Sequence, residues 1–124
     1  KFDKENVSLL HVMGKNLLEQ QRYEEADKYL YITLEEMRKI YGNSDNEKYA
    51  ELSKDIGINH YYRQRFTEAE HWLKRCCLEQ YEYLLPPYNG EKRLEDMASA
   101  MYGLFLLYRD LKDNFQANEN AKKA

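Results

Sequence analysis

The sequence predicts an all-α fold, a row of antiparallel helix pairs packed one on the next. Three observations carry this expectation. Only two prolines and five glycines occur among 124 residues, too few for the many turns of an all-β sandwich. Apolar residues recur in steps of three and four along almost the whole chain, with no sustained alternation. A shift of 43 residues also lays one stretch over another: Gly14 on Gly57, Gln21-Arg22-Tyr23 on Gln64-Arg65-Phe66, Glu25-Ala26 on Glu68-Ala69, and Leu30 on Leu73. Such self-similarity marks a repeat whose faces are buried by stacking on neighbours.

Val7, Leu10, Gly14 and Leu17 mark the first helix, which stops at Gln20 to Arg22. The second starts near Tyr23, with Glu24 and Glu25 facing the positive helix end, and carries Ala26, Leu30, Thr33, Met37 and Ile40. Gly42-Asn43-Ser44-Asp45-Asn46 is a turn cluster. The third helix runs to a break at Arg63 to Arg65. Thr67 and Glu70 have capping-box spacing at the start of the fourth, whose stripe is Ala69, Leu73, Cys76 and Tyr83. Pro86-Pro87-Tyr88-Asn89-Gly90 ends it, because proline lacks a donor and restricts the residue before it. The fifth helix has the cleanest stripe, Leu94, Met97, Met101, Leu104, Tyr108 and Leu111. A break at Lys112 to Asn114 is expected to lead into a truncated sixth. The reading is one domain of three pairs, units 6–46, 47–90 and 91–124, with the last pair incomplete. Absence of a starting methionine and the helical-looking stretch Asn118 to Ala124 give the expectation of a fragment of a longer protein.

The repeated residues have mechanical reasons. Glycine lets the first helix of a pair approach its partner, the aromatic seals the turn, and alanine sits where the helices cross. Glycine, an aromatic nine residues later, alanine three after that and leucine four after that resemble the tetratricopeptide repeat signature. The unit is longer than the ordinary one of about 34 residues, and in this it resembles the kinesin light chain type. Gln21-Arg22-Tyr23-Glu24-Glu25-Ala26-Asp27, Gln64-Arg65-Phe66-Thr67-Glu68-Ala69-Glu70 and Leu106-Leu107-Tyr108-Arg109-Asp110 carry the likeness. The inner positions hold His11-Val12, Lys54-Asp55 and Tyr102-Gly103 where that type usually has paired asparagines. The resemblance implies a right-handed α-solenoid; HEAT-like helical repeats are the alternative architecture.

A net charge of −3, from 19 basic and 22 acidic side chains, argues against a general nucleic-acid or anionic-membrane binder. No apolar run long enough to span a bilayer is present. Cys76 and Cys77 diverge on a helix and read as reduced thiols of a cytosolic or nuclear protein, and a cytoplasmic location is the expectation. Cys76 stands at the small-residue crossing position of Thr33, so packing explains it better than catalysis. His11, His60 and His71 make no metal-ligand spacing with one another or with cysteine. His60 falls on the buried stripe and His71 on the surface. The five glycines are isolated, so there is no phosphate loop, and Glu24-Glu25 and Glu35-Glu36 diverge around their helices as a solvated face. No enzyme activity and no cofactor is expected.

Recognition remains. In stacked pairs the first helices line a hollow, to which the repeat assigns Ser8, His11, Lys15 and Leu18, then Glu51, Lys54, Ile58, Tyr61 and Tyr62, then Ser99, Tyr102, Leu106 and Arg109. The peptide-binding candidates are His11, Lys15, Lys54, Ile58, Tyr61, Tyr62, Tyr102, Leu106 and Arg109. Three certain cations and three tyrosines beside one carboxylate suit a partner peptide with acidic residues and an aromatic or aliphatic anchor. The expected role is a scaffold or adaptor. The alternative is a structural accessory or self-association module of a larger protein, possibly an enzyme, because Tyr108 and Leu111 would leave a core edge to be covered. Of the twelve tyrosines, Tyr23 closes a turn, Tyr29 matches Trp72, Tyr108 joins the fifth stripe, and Tyr31, Tyr41, Tyr49, Tyr81 and Tyr83 lie at helix ends or edges.

Overall fold

A computed structural model describes residues 3–42, 47–79 and 91–123. The described residues form five helices: α1 (Lys4–Glu19), α2 (Tyr23–Tyr41), α3 (Glu47–Tyr62), α4 (Phe66–Glu79) and α5 (Glu91–Lys123). Asn43 to Asn46, the proline-rich stretch Pro86 to Gly90, Tyr81, Tyr83 and the side chain of Leu94 lie outside what is described.

α1 with α2 and α3 with α4 are tight hairpins, and the repeated glycines are the reason. A Cβ on Gly14 would stand 2.9 Å from Leu30 Cδ2, and one on Gly57 would stand 2.7 Å from Leu73 Cγ. Any side chain there would push the paired helices apart. Ala26 and Ala69, at the crossings, are fully buried. The hairpin turns repeat too: Gln21 and Gln64 both adopt left-handed backbone, with φ of 63° and 61°.

α2 starts at Arg22 without a side-chain cap, and Glu24 and Glu25 occupy its first turn. α4 starts at Phe66, so Thr67 lies inside the helix and the expected capping box does not mark its start. Asp3 supplies a cap elsewhere, its Oδ1 accepting from Asn6 N–H at 2.9 Å at the head of α1.

α1, α3 and α5 form one layer, with α2 and α4 behind them, and α3 touches every other helix. The core is continuous across the pairs. Leu30, Leu34 and Met37 of α2 pack with Tyr49, Leu52 and Ile56 of α3 and with Trp72 of α4. Ala50, Leu73, Cys76, Cys77 and Ala100 join α3, α4 and α5, with Ile58 and Leu104 against them.

The expected break at Lys112 to Asn114 is absent. α5 is a single helix of 33 residues, so its C-terminal part does not fold back as a second helix. It runs alongside α3 and antiparallel to α4, as the contacts Gly103 to Leu73 and Tyr108 to Glu70 require. Beyond Asp110, Leu111 to Asn118 are exposed. Tyr108 and Leu111, expected on a buried stripe, are 43% and 40% exposed, with Tyr108 bonded to Glu70 of α4.

Candidate functional site

The residues assigned to the hollow lie on α1, α3 and α5, and the structure joins them through a chain of ion pairs. His11 Nε2 is 2.7 Å from Asp55 Oδ2. Lys15 Nζ donates to Glu51 Oε2 at 3.0 Å, and Lys54 Nζ donates to Asp96 Oδ1 at 3.0 Å. Arg109 bonds Asp110 Oδ1 at 3.1 Å, and Tyr61 donates to Asp110 Oδ2 at 2.5 Å. Asp55, Asp96 and Asp110 thus balance cations that looked dominant in the sequence.

Burial then sorts these residues. His11 is buried, and Lys54 has a side chain only 14% exposed against an Asp96 that is almost wholly covered. Both work as fastenings between neighbouring helices. Ile58, Tyr61 and Leu106 are half-buried, whereas Tyr62, Tyr102 and Arg109 are exposed. Lys15 is intermediate, its ammonium held over Glu51.

The tyrosines form an aromatic edge. Tyr62 stacks on Tyr23 with ring centres 5.2 Å apart, and Tyr61 meets Tyr62 edge-on at 5.3 Å. Phe66 lies 6.0 Å from Tyr61. An open cleft of about 560 Å³ adjoins this edge, lined by Gln21, Arg22, Tyr23, Glu24, Glu25, Tyr62, Arg63 and Arg65. Within it Arg22 pairs with Glu25 at 2.6 Å, and Arg63 reaches Asp27 at 3.2 Å. Tyr102 stacks with Phe105 at 6.4 Å. The hydrogen bond to Asp110, then burial, raises the Tyr61 phenol above its ordinary value. The same bond, with Arg109 adding to it, lowers the Asp110 carboxyl.

Other groups weighed for chemistry are placed as follows. His60 is buried, 2.8 Å from Tyr31 Oη, and burial lowers its pKa. His71 is exposed, edge-on to Trp72. Burial pushes the Cys76 thiol up to about 12, which suppresses the thiolate that nucleophilic chemistry needs. Cys76 and Cys77 are both free and buried. Glu36 was expected in the solvated face; it is buried and takes Lys39 Nζ at 3.0 Å. Tyr49, expected at an edge, is buried and donates to the Gly42 carbonyl at 2.7 Å. Among the described residues no cluster of histidine, cysteine and carboxylate could hold a metal ion. No described helix is long and apolar enough to cross a membrane.

The sequence reading missed Asp55, Asp96 and Asp110. The signal available was a basic side chain at His11 and Lys54 in successive units, each with a carboxylate on the next inner helix.

Neither a curated protein nor a solved structure matches the chain. The family profile described as tetratricopeptide repeat matches residues 5–77, which spans α1 to α4. Repeats of this family generally mediate protein–protein interactions and are typically non-catalytic. With its glycine contacts, crossing alanines and repeated turns in both hairpins, the chain belongs to the tetratricopeptide repeat family.

Proposed function

We propose that this chain is a non-enzymatic scaffold segment that holds an extended peptide of a partner protein along α1, α3 and α5, the concave side of a right-handed stack. The observation that carries the reading is that α3 and α5 present tyrosines with exposed surface, Tyr61 and Tyr62 in edge-on contact and Tyr102 stacked on Phe105, while Lys15 of α1 and Arg109 of α5 keep substantial exposed surface. Tyrosines offer rigid contact area at low entropic cost, and half-buried Ile58 and Leu106 on the same two helices add apolar surface. His11 and Lys54 belong to the same surface but act beneath it, fixing helix against helix.

A ligand carboxylate at Lys15 or Arg109 meets an ammonium or guanidinium already paired to Glu51 or Asp110. Acidic residues of the peptide therefore select among partners more than they add affinity, and an aromatic or aliphatic anchor on the tyrosines supplies the binding energy. The long repeat spacing supports a place near the kinesin light chain type. The working compartment under this reading is the cytoplasm, and no cofactor takes part.

The experiment is selection of peptides from a displayed random library on the folded chain, followed by calorimetric titration. Tyr62→Ala and Tyr102→Ala are expected to weaken a selected peptide at least tenfold, as truncation of a central aromatic anchor does. Failure to select any peptide, or wild-type affinity retained in both variants, sinks this reading.

A further inference from the structure

The carboxylates of the inner layer are not equivalent. Asp96 is almost wholly covered beside Lys54, and Asp55 is buried against His11. Asp110 differs from both: its side chain is 30% exposed, and the cation it meets, Arg109, is its exposed neighbour on the same helix. An ion pair this open adds little to stability.

Asp110 sits as an acidic side chain of a bound peptide would. Its Oδ2 accepts the Tyr61 phenol proton at 2.5 Å, and its Oδ1 accepts from Arg109 Nη2 at 3.1 Å and Nε at 3.3 Å. A phenol has a single proton to donate, so while Asp110 takes it Tyr61 has none for an acceptor on a ligand. Arg109 keeps other N–H groups free to donate, but a carboxylate that reaches them approaches the Asp110 charge. Asp113 adds a second negative charge that acts on Arg109. The bond from Tyr61, with Arg109 beside it, lowers the Asp110 carboxyl, so the group stays ionised through neutral pH. A neutral side chain meets none of this repulsion and can still lie against the Tyr61 and Tyr62 rings.

We propose that Asp110 is the specificity-determining residue of the peptide surface: from within the chain it occupies Tyr61 and Arg109, and so turns that part of the surface away from acidic side chains and toward a neutral aromatic or aliphatic one. Discrimination of this kind comes from a repulsive group and not from an added contact. The inference rests on the peptide reading above and narrows the partner chemistry it allows.

Selection from a displayed random library, run in parallel on the wild-type chain and on Asp110→Asn, tests it. Asparagine keeps an oxygen for Tyr61 and removes the charge. The pool recovered on Asp110→Asn is expected to be richer in aspartate and glutamate. In calorimetric titration, a glutamate-bearing peptide from that pool should bind Asp110→Asn about three- to fivefold more tightly than wild type, the scale of one exposed charge interaction. Its glutamine twin should bind the two proteins alike. Glu119→Gln removes the same charge further along α5 and should change neither affinity. Asp110→Ala, which also frees the phenol, should gain at least as much for the glutamate peptide, and it replaces the asparagine variant if circular dichroism shows that variant to have lost helix. Pools equally acidic on both proteins overturn the inference, as does an equal gain for the glutamate and glutamine peptides. Weaker binding of the glutamate peptide to the variants also overturns it, and would make Asp110 a residue that positions Tyr61 and Arg109. Peptides that bind the wild-type chain leave the peptide surface standing in all three cases, whereas no peptide on either protein overturns both.

Discussion

At the residue scale, single atoms decide how closely the helices pair. A methyl group on Gly57 would lie 2.7 Å from Leu73 Cγ and 3.1 Å from its backbone nitrogen. Gly57→Ala is expected to cost about 1–3 kcal/mol, the usual range for overpacking a filled core, read as a drop in the denaturant midpoint. Gly103→Ala meets only the tip of the Leu73 side chain, at 3.2 Å, and should cost less in the same titration. His60 gives a pH dependence. Burial lowers its pKa below the ordinary 6.5, against the upward pull of Asp27 and Glu68 and with the downward pull of Arg65 and Arg63. The unfolded chain therefore takes up the proton first as pH falls. The stabilising contribution is complete above about pH 6.5 and declines below it, toward the lowered folded value. Unfolding measured against pH should show this decline in the wild type, with the slope reduced in His60→Gln. The glycine, the crossing alanines and the core histidine were legible in the sequence, because repeat spacing alone assigns them. Glu36 was not: helical position put it beside Glu35, and only packing shows that it is buried while its carboxylate still reaches exposed Lys39 on the same helix.

At the scale of elements, the hairpins were legible and the end of α5 was not. Gln20 to Arg22 and Arg63 to Arg65 break the apolar stripes, and each turn holds a glutamine in left-handed backbone. Lys112 to Asn114 offered a similar break in polarity, but no glycine or proline follows Gly103, so nothing in the backbone opposes continued helix. A polar step in a stripe is a weaker stop than a conformational one. Amide exchange in dilute solution is expected to be fast from Leu111 to Lys123 and slow around Ala100 and Leu107, both fully buried. Equal protection along α5 would contradict the overhang. The pair between Lys54 and Asp96 joins α3 to α5 with little solvent around it. Lys54→Met, which takes an ion-pair partner from a buried carboxylate, should lower stability by up to about 3–5 kcal/mol in a denaturant titration. The candidate site was half legible for the same reason: the tyrosines and cations follow from repeat position, whereas their carboxylate partners come from the next helix.

At the scale of the whole molecule, α3 is the central member, in contact with all four other helices. Leu52→Ala removes side-chain atoms from the core shared by both pairs. It is expected to cost about 2–5 kcal/mol and to shift fluorescence and circular dichroism transitions together. Two separate transitions would show instead that the pairs unfold as independent units. The fastenings that run from His11 to Asp55 and from Lys54 to Asp96 also give the row a direction. In both, the cation is answered by a carboxylate on the next inner helix, α3 after α1 and α5 after α3. Val12 stands where that answer would be in the first unit. The units are thus not interchangeable parts: a permuted gene placing the second hairpin ahead of the first would set the Lys54 ammonium against a valine. Order along the chain is written into the charges as well as into the connections, so shuffling these units would break the register that their shapes alone would allow.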